Sequence, residues 1–280
     1  MSTDSWGFAA STGLDFTDDA IVDAHFRACR PVYRALLGRV GIAPGAHVLD
    51  AGCGGGAFLP WLAELVGPTG RVTGVDLAPE NAALAAQRAR GLGARVEVRQ
   101  GDLRELPLEA STVDVVWFAN SVQYLDDDSL RAAFEEARRV LRPGGTIAVK
   151  DLDAGLVSVR PGDPFLFSDF FRAAAARPGY ARQLLRTRDL HRWLVSAGFT
   201  GVRQETVLIE HYAPFSAEVR EFYGASCSTI AGQALRAGSS EAWERFVHTD
   251  DPANPLNDPF AYVSEGNVLA TGVAPETHSE

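Results

Sequence analysis

The stretch His47-Val48-Leu49-Asp50-Ala51-Gly52-Cys53-Gly54-Gly55-Gly56-Ala57-Phe58-Leu59 decides how the rest of the chain is read. A short apolar run ends in an acid. A turn of nearly pure glycine follows, and apolar residues then return at helical spacing. The pattern predicts a strand, a glycine loop and a helix. Glycine is needed where the backbone takes a positive φ or must approach a bound molecule closely. The start of a helix leaves N–H groups that suit a carboxylate or phosphate. The stretch therefore predicts a loop for a nucleotide-type cofactor.

Two cofactor classes fit such a loop. A nicotinamide or flavin loop carries G-x-G-x-x-G after the strand, and Gly52, Gly54 and Ala57 give a loose G-x-G-x-x-A match. Asp50, two residues ahead of Gly52, shifts the balance. A carboxylate there repels a pyrophosphate but suits a cofactor with an ammonium or sulfonium group. S-adenosylmethionine (SAM) has both. The run Val48-Leu49-Asp50-Ala51-Gly52-Cys53-Gly54-Gly55-Gly56 resembles motif I of the class I SAM-dependent methyltransferases, whose pattern is close to V-L-D-x-G-C-G-x-G.

The 280 residues carry a formal net charge of −10. That argues against nucleic acid, which requires a basic stripe to meet its phosphates. No apolar run approaches the roughly 20 residues of a membrane-spanning helix, and Met1-Ser2-Thr3-Asp4-Ser5 is too polar for a secretory signal. Cys29, Cys53 and Cys227 are too few and too scattered for a disulfide framework or a zinc site. These features predict a cytoplasmic enzyme without nucleic-acid or membrane partners; a homodimer remains open.

Residues 1–17 are small and polar apart from Trp6, Phe8 and Phe16, and they predict either disorder or a lid over the substrate. Asp18 to Val40 has helical spacing with Asp18 or Asp19 as cap, and Pro31 predicts a break into two helices. The family resemblance implies a helix here that covers the cofactor, with Tyr33 and His25 facing the site. The helix after the glycine loop spans about Ala57 to Leu65.

Arg71 to Leu77 is a second strand and contains Asp76 near its end; Pro79 to Arg90 is an alanine-rich helix; Arg95 to Arg99 is a third strand, followed by Asp102 and Leu103. Three acids at the ends of successive strands converge on one crevice in a doubly wound sheet. The resemblance implies that Asp76 accepts both ribose hydroxyls. It likewise implies that Asp102 accepts from the adenine amino group and that the Leu103 backbone reaches the ring. The implied cofactor set is Asp50, Gly52, Gly54, Asp76, Leu77, Asp102, Leu103 and Asn120.

Val113 to Asn120 reads as a central strand, apolar on both faces beyond Asp114. Ser129 to Val140 is a helix, stopped by Arg142-Pro143-Gly144-Gly145 before a fifth strand, Thr146 to Lys150. Leu141 to Thr146 resembles the ubiquinone-biosynthesis-like branch of the family. After Asp153 the regular alternation is interrupted. A helix from about Arg186 to Ser196, a sixth strand from Val202 to His211, helical patterning from Pro214 to Asp250 and a last strand from Tyr262 to Thr271 follow. The segments 155–185 and 213–255 predict a partly apolar wall over the strand ends.

The expected fold is α/β: a Rossmann-like class I methyltransferase with a seven-stranded, mostly parallel sheet in the order 3-2-1-4-5-7-6 and a helical cap. Residues 1–40 would be lid and covering helices, 41–154 the SAM-binding core, 155–273 the remaining core with cap insertions, and 274–280 a disordered tail. Several substrates are disfavoured. Asn120-Ser121-Val122-Gln123 keeps only the Asn of the N-P-P-Y element of exocyclic-amine methylases. No cysteine follows a proline, as cytosine-C5 methylases need, and Lys150 is the only lysine where ribose 2′-O-methylases use two. The expectation is SAM-dependent methyl transfer to a small natural-product-type acceptor, at oxygen before nitrogen or carbon. The rivals are a NAD(P)-dependent oxidoreductase and a SAM-binding cyclase that does not methylate. His211 and His25 are the candidate catalytic bases, since histidine titrates near neutrality. Tyr33, Gln123, Tyr124 and Asp151 are candidate substrate contacts. Asp151 and Asp153 lack a third acid nearby, so no metal is expected.

Overall fold

The computed structural model describes residues 19–176 and 179–276. The lid expected over residues 1–17, the Asp18 cap and the last four residues lie outside the described residues. In chain order the elements are α1 (Asp19–Gly38), β1 (His47–Ala51), α2 (Leu59–Val66), β2 (Arg71–Asp76), α3 (Pro79–Arg88), β3 (Arg95–Gln100), β4 (Val113–Ala119), α4 (Asp127–Val140), β5 (Leu141–Arg160), α5 (Leu166–Ala174), α6 (Tyr180–Arg186), α7 (Leu190–Ser196), β6 (Thr200–Tyr212), α8 (Ala217–Arg236) and β7 (Tyr262–Val273).

The strands form one sheet in the order β3-β2-β1-β4-β5-β7-β6. The first five are parallel, and β7 runs antiparallel to both β5 and β6. Every residue of β1 is buried, as a strand covered on both faces must be. Alternation sorts its side chains into two apolar layers. Val48 and Trp117 pack with Leu36, Leu59 and Leu62 of α1 and α2. Leu49 and Phe118 pack with Leu130 and Phe134 of α4 and Leu194 of α7 on the other face. Each such side chain contributes about 1.5–3 kcal/mol by leaving water. The strand order reverses between β1 and β4, so the strand ends part there and leave a crevice.

Four local expectations are corrected. Helix α1 runs unbroken through Pro31. Pro31 lies on the exposed side, where the carbonyl it leaves without a partner can be hydrated. The opposite side buries Cys29, Tyr33, Leu36 and Leu37, and that burial holds the helix together. Strand β5 continues ten residues past Lys150 to Arg160, after a register shift between Asp153 and Ser158 against β7. Its partner β7 is long enough to carry it past the interruption after Asp153. The single helix expected over 186–196 is divided into α6 and α7 by the turn Thr187–Asp189. There the Thr187 hydroxyl lies 2.6 Å from the Leu152 carbonyl oxygen and 2.7 Å from that of Leu184. Finally, Ala274 is buried rather than disordered. Its N–H donates to the Gly145 carbonyl at 2.8 Å, and its carbonyl accepts from Gly144 at 3.0 Å. Among the described residues no helix is long and apolar enough to cross a membrane.

Candidate active site

The glycine loop after β1 takes positive φ at Gly52 (74°), Gly54 (51°) and Gly56 (84°). A side chain at Gly52 would place its Cβ 2.6 Å from the Cβ of Ser121, so the loop can lie against the end of β4 only with glycine there. Asp76, at the end of β2, pins the loop. Its Oδ2 accepts the Gly54 N–H at 2.8 Å, and its Oδ1 accepts from the Ala78 N–H at 3.0 Å and the Asn81 amide at 3.2 Å. Burial pushes the Asp76 carboxyl up, and these three donors pull against that shift. Three of about four lone-pair sites of the carboxylate are in use, which leaves room for one further donor. Asp102 is gripped by Arg104 through both oxygens, at 2.6 to 3.1 Å. Those bonds hold its carboxyl below the usual range.

A cavity of about 260 Å³ lies over these loops. Of the expected cofactor residues, Gly52, Gly54, Asp76, Leu77, Asp102, Leu103 and Asn120 line it; so do Gln123, Tyr124 and His25. Its far wall is aromatic, with Phe167 and Phe171 from α5, Tyr180 from α6 and Phe222 and Tyr223 from α8. Tyr124 stacks on Tyr180 with ring centroids 5.4 Å apart.

Four expected site residues do not line this cavity. Asp50 is fully buried, its Oδ2 has no hydrogen-bond partner among the described residues, and burial, then Asp76, pushes its carboxyl up to about 8. Burial thus favours its neutral form, and it does not line the cavity. Tyr33 is also fully buried, in the layer beneath the cavity, with the Lys150 ammonium 3.3 Å above its ring centroid. Asp151 is spent on structure. Its Oδ2 accepts the Gln123 N–H at 3.1 Å and its Oδ1 accepts the Leu152 N–H at 2.9 Å, which sets the turn carrying Gln123 and Tyr124. His211, on β6, packs its ring 5.5 Å from that of Tyr223. Burial lowers its pKa, and its Nε2 is buried without a partner among the described residues. A base must reach the acceptor, and His211 does not.

His25 does line the cavity, and it has a partner that sequence reasoning missed. Its Nε2 lies 2.9 and 3.1 Å from the two carboxylate oxygens of Glu265 on β7, and 3.2 Å from the Tyr33 hydroxyl. Burial raises the Glu265 carboxyl, but His25, Lys150 and Asn267 outweigh burial and bring it down to about 2. The sequence offered one partial signal: Glu265 is the one charged residue of the last strand, and a charge in a covered strand requires a buried partner that the sequence does not name. Lys150 is fully buried too and donates to Asn120 Oδ1 at 2.7 Å; burial lowers its pKa to about 8. Cys29 Sγ lies 3.6 Å from Glu265 Oε1. The Cys29, His25 and Glu265 ligand atoms fall within 4.8 Å of one another, a spacing a metal ion could use. Asp153, by contrast, is committed to the Gly155 N–H and to Arg188.

A switch-point crevice with a glycine loop, an acid after β2 and an acid–apolar pair after β3, beside an antiparallel seventh strand, defines a class I, SAM-dependent methyltransferase fold. The glycine cradle and the spare acceptor site of Asp76 fit an adenosyl group. Residues 48–145 match the family model described as a methyltransferase domain. That segment is a methyltransferase domain, the fold around it is that of the class I SAM-dependent methyltransferases, and SAM is the cofactor this implies. This selects the adenosyl donor over the nicotinamide alternative.

Nocamycin O-methyltransferase of Saccharothrix syringae is 45% identical over 122 residues, covering 43% of this chain and 42% of that protein. An uncharacterized 37.1 kDa protein in transposon TN4556 of Streptomyces fradiae is 34% identical over 172 residues, or 61% of this chain and 48% of that protein. The chain thus spans less than half the length of these two relatives. The crystal structure of a putative methyltransferase from Bacillus halodurans shares the fold, with a TM-score of 0.57 and 18% identity over 86% of this chain and 97% of that one.

Proposed function

We propose that the protein transfers a methyl group from SAM to a small natural-product-type acceptor, at oxygen in preference to nitrogen or carbon. One observation carries the reading: a single cavity joins the adenosyl-holding loops to the aromatic wall of α5, α6 and α8. When bound, SAM supplies an already activated methyl group on a sulfonium. The protein's own tasks are to hold, align and exclude water. Gly52, Gly54 and Asp76 fix the adenosyl end. Asn120 and the Val122–Tyr124 turn stand at the end of β4 and face the same cavity. Phe167, Phe171 and Phe222 present an acceptor with apolar surface. Alignment of this kind is worth about 7–11 kcal/mol in favourable cases.

The 45% identity to a nocamycin O-methyltransferase supports oxygen as the target and a secondary metabolite as the acceptor. The net charge of −10 weighs against a nucleic acid. Within this reading residues 41–154 bind the cofactor, and α1 with the segment 155–273 shapes the acceptor side. Three free cysteines are in keeping with a cytoplasmic location. Incubation with methyl-labelled SAM and a panel of phenols and enols tests the proposal. Label on an acceptor, with S-adenosylhomocysteine released, is the expected result. An acceptor that is rearranged while the label stays on SAM would establish the cyclase reading instead.

A further inference from the structure

Resting on the methyl-transfer reading, we propose that His25 Nδ1 takes the proton of a phenolic or enolic hydroxyl on the acceptor, and that Glu265 is the positioning residue that frees that nitrogen.

The two residues lie 240 positions apart and meet at the cavity wall. A carboxylate only accepts hydrogen bonds, so the proton between His25 and Glu265 sits on Nε2. That leaves Nδ1 with its lone pair, and the described residues make no hydrogen bond to it. The plane of the ring is fixed as well. His25 stacks on Phe222 with ring centroids 4.0 Å apart and an interplanar angle of 10°. Glu265 has little freedom to follow another partner. Its strand is paired on both edges, and the Asn267 amide donates to its Oε1 at 2.8 Å.

The proton step balances simply. The acceptor O–H bond breaks, its electron pair stays on oxygen as the nucleophile, and an N–H bond forms at Nδ1. The imidazolium that results faces the Glu265 carboxylate, as in other base–orienter pairs. The other titratable groups packed around the pair are Cys29 and Tyr33 on α1, Lys150 on β5, His211 on β6 and Tyr223 on α8. Lys150, its pKa lowered by burial to about 8, is the one lysine among them and attracts the carboxylate when protonated. Phenols and enols are the acceptor class because their protons are within reach of an imidazole, whereas an amine nucleophile would need no such pair. The aromatic wall suits the flat framework of either.

The test begins on the full-length protein without cofactor or acceptor. Nitrogen-15 NMR of the histidine rings, with His25 assigned by the His25→Asn variant, should show His25 as the Nε2–H tautomer. In Glu265→Gln the same ring should become a mixture of tautomers, with S-adenosylhomocysteine affinity within threefold of wild type. A wild-type His25 in the Nδ1–H form, or a tautomer unchanged by Glu265→Gln, overturns the proposal; the wild-type spectrum decides even should the variant fail to fold. In turnover with an acceptor found by label transfer, His25→Asn should lose at least a hundredfold in kcat with KM little changed. Glu265→Gln should lose at least tenfold, and the acidic limb of its pH–rate profile should move to lower pH. A kcat within threefold of wild type in both variants overturns the proposal. Stoichiometric Zn²⁺ binding that Cys29→Ser abolishes would also overturn it, in favour of a metal centre. Because the tautomer is read without SAM, its failure is separable from a failure of methyl transfer itself.

Discussion

Removal of the Asp76 carboxylate tests the assignment of the cofactor site most sharply, because this side chain both pins the glycine loop and lines the cavity. Asp76→Ala takes the acceptor from three donors: the Gly54 and Ala78 N–H groups and the Asn81 amide. Asn81 is half-buried and can turn to water. The two backbone donors cannot be rehydrated so easily, and each orphaned donor costs about 1–2 kcal/mol. The loss should therefore be about 2–4 kcal/mol in the protein without ligand, on the order of 10 °C in melting temperature. Binding should suffer separately. In the role proposed for it, the one spare acceptor site of the carboxylate would serve a ribose hydroxyl, and a hydrogen bond to a charged group is worth about 1.5–3 kcal/mol, or roughly 10- to 100-fold in affinity. The three protein donors leave one acceptor site, where the sequence reading expected two hydroxyl contacts. Asp76→Asn should be the milder change in stability, since one oxygen still accepts, yet its amide must face a donor on one side. Urea denaturation without ligand and calorimetric titration with S-adenosylhomocysteine measure the two effects. Unchanged ligand-free stability in Asp76→Ala would show that the loop is not pinned as described. An unchanged dissociation constant would remove Asp76 from the adenosyl site.

Gly52→Ala should raise the dissociation constant for S-adenosylhomocysteine at least tenfold, because its φ of 74° and the 2.6 Å approach to Ser121 leave no space for a methyl group. Ser121→Gly in the same chain should restore part of the loss, and no restoration would argue against the clash. Asp50 has a folded-state pKa of about 8 against 3.8 for the free side chain, so the folded protein holds the extra proton and stability falls as pH rises from about 4 to 8. Asp50→Asn should therefore gain stability relative to wild type at pH 8 over pH 5; an equal difference at both pH values in urea melts would contradict this. Phe171→Ala, in the aromatic wall, should raise the acceptor KM about tenfold, equivalent to about 1.4 kcal/mol of lost apolar contact, with S-adenosylhomocysteine affinity within twofold of wild type. A matching loss of cofactor affinity would show that the wall belongs to the adenosyl end.

What could be read from the sequence followed the range of the forces involved. The glycine run, the acids at Asp76 and Asp102 and the helix stop at Arg142-Pro143-Gly144-Gly145 are local signals; they carried the family resemblance, and the resemblance implied the observed sheet order. Pro31 misled because a proline is judged by its lost hydrogen bond, whereas α1 is held by the side chains buried opposite. Strand β5 was cut short because the regular alternation is interrupted after Asp153, and its long antiparallel partner cannot be seen from the sequence. Asp50 looked like a cofactor ligand because strand position says nothing about which carboxylate stays in water's reach. Between His211 and His25 spacing offered no choice; only the packing of α8 sets Tyr223 against one and Phe222 against the other. Glu265 was hidden for the same reason, since its partner comes from the far end of the chain.

The stacking of α1 and β7 against the cavity has a further consequence for how such an enzyme can change. The matched domain, 48–145, holds the loops that grip the donor, while His25 and Glu265 sit outside it on opposite flanks. On the proposal made above, donor recognition and proton handling lie in different parts of the sequence. Exchange of both flanks together between relatives, around a retained centre, would redirect the chemistry to a new target molecule. Exchange of one flank alone would separate the histidine from its carboxylate and leave a protein that still grips its donor and transfers nothing.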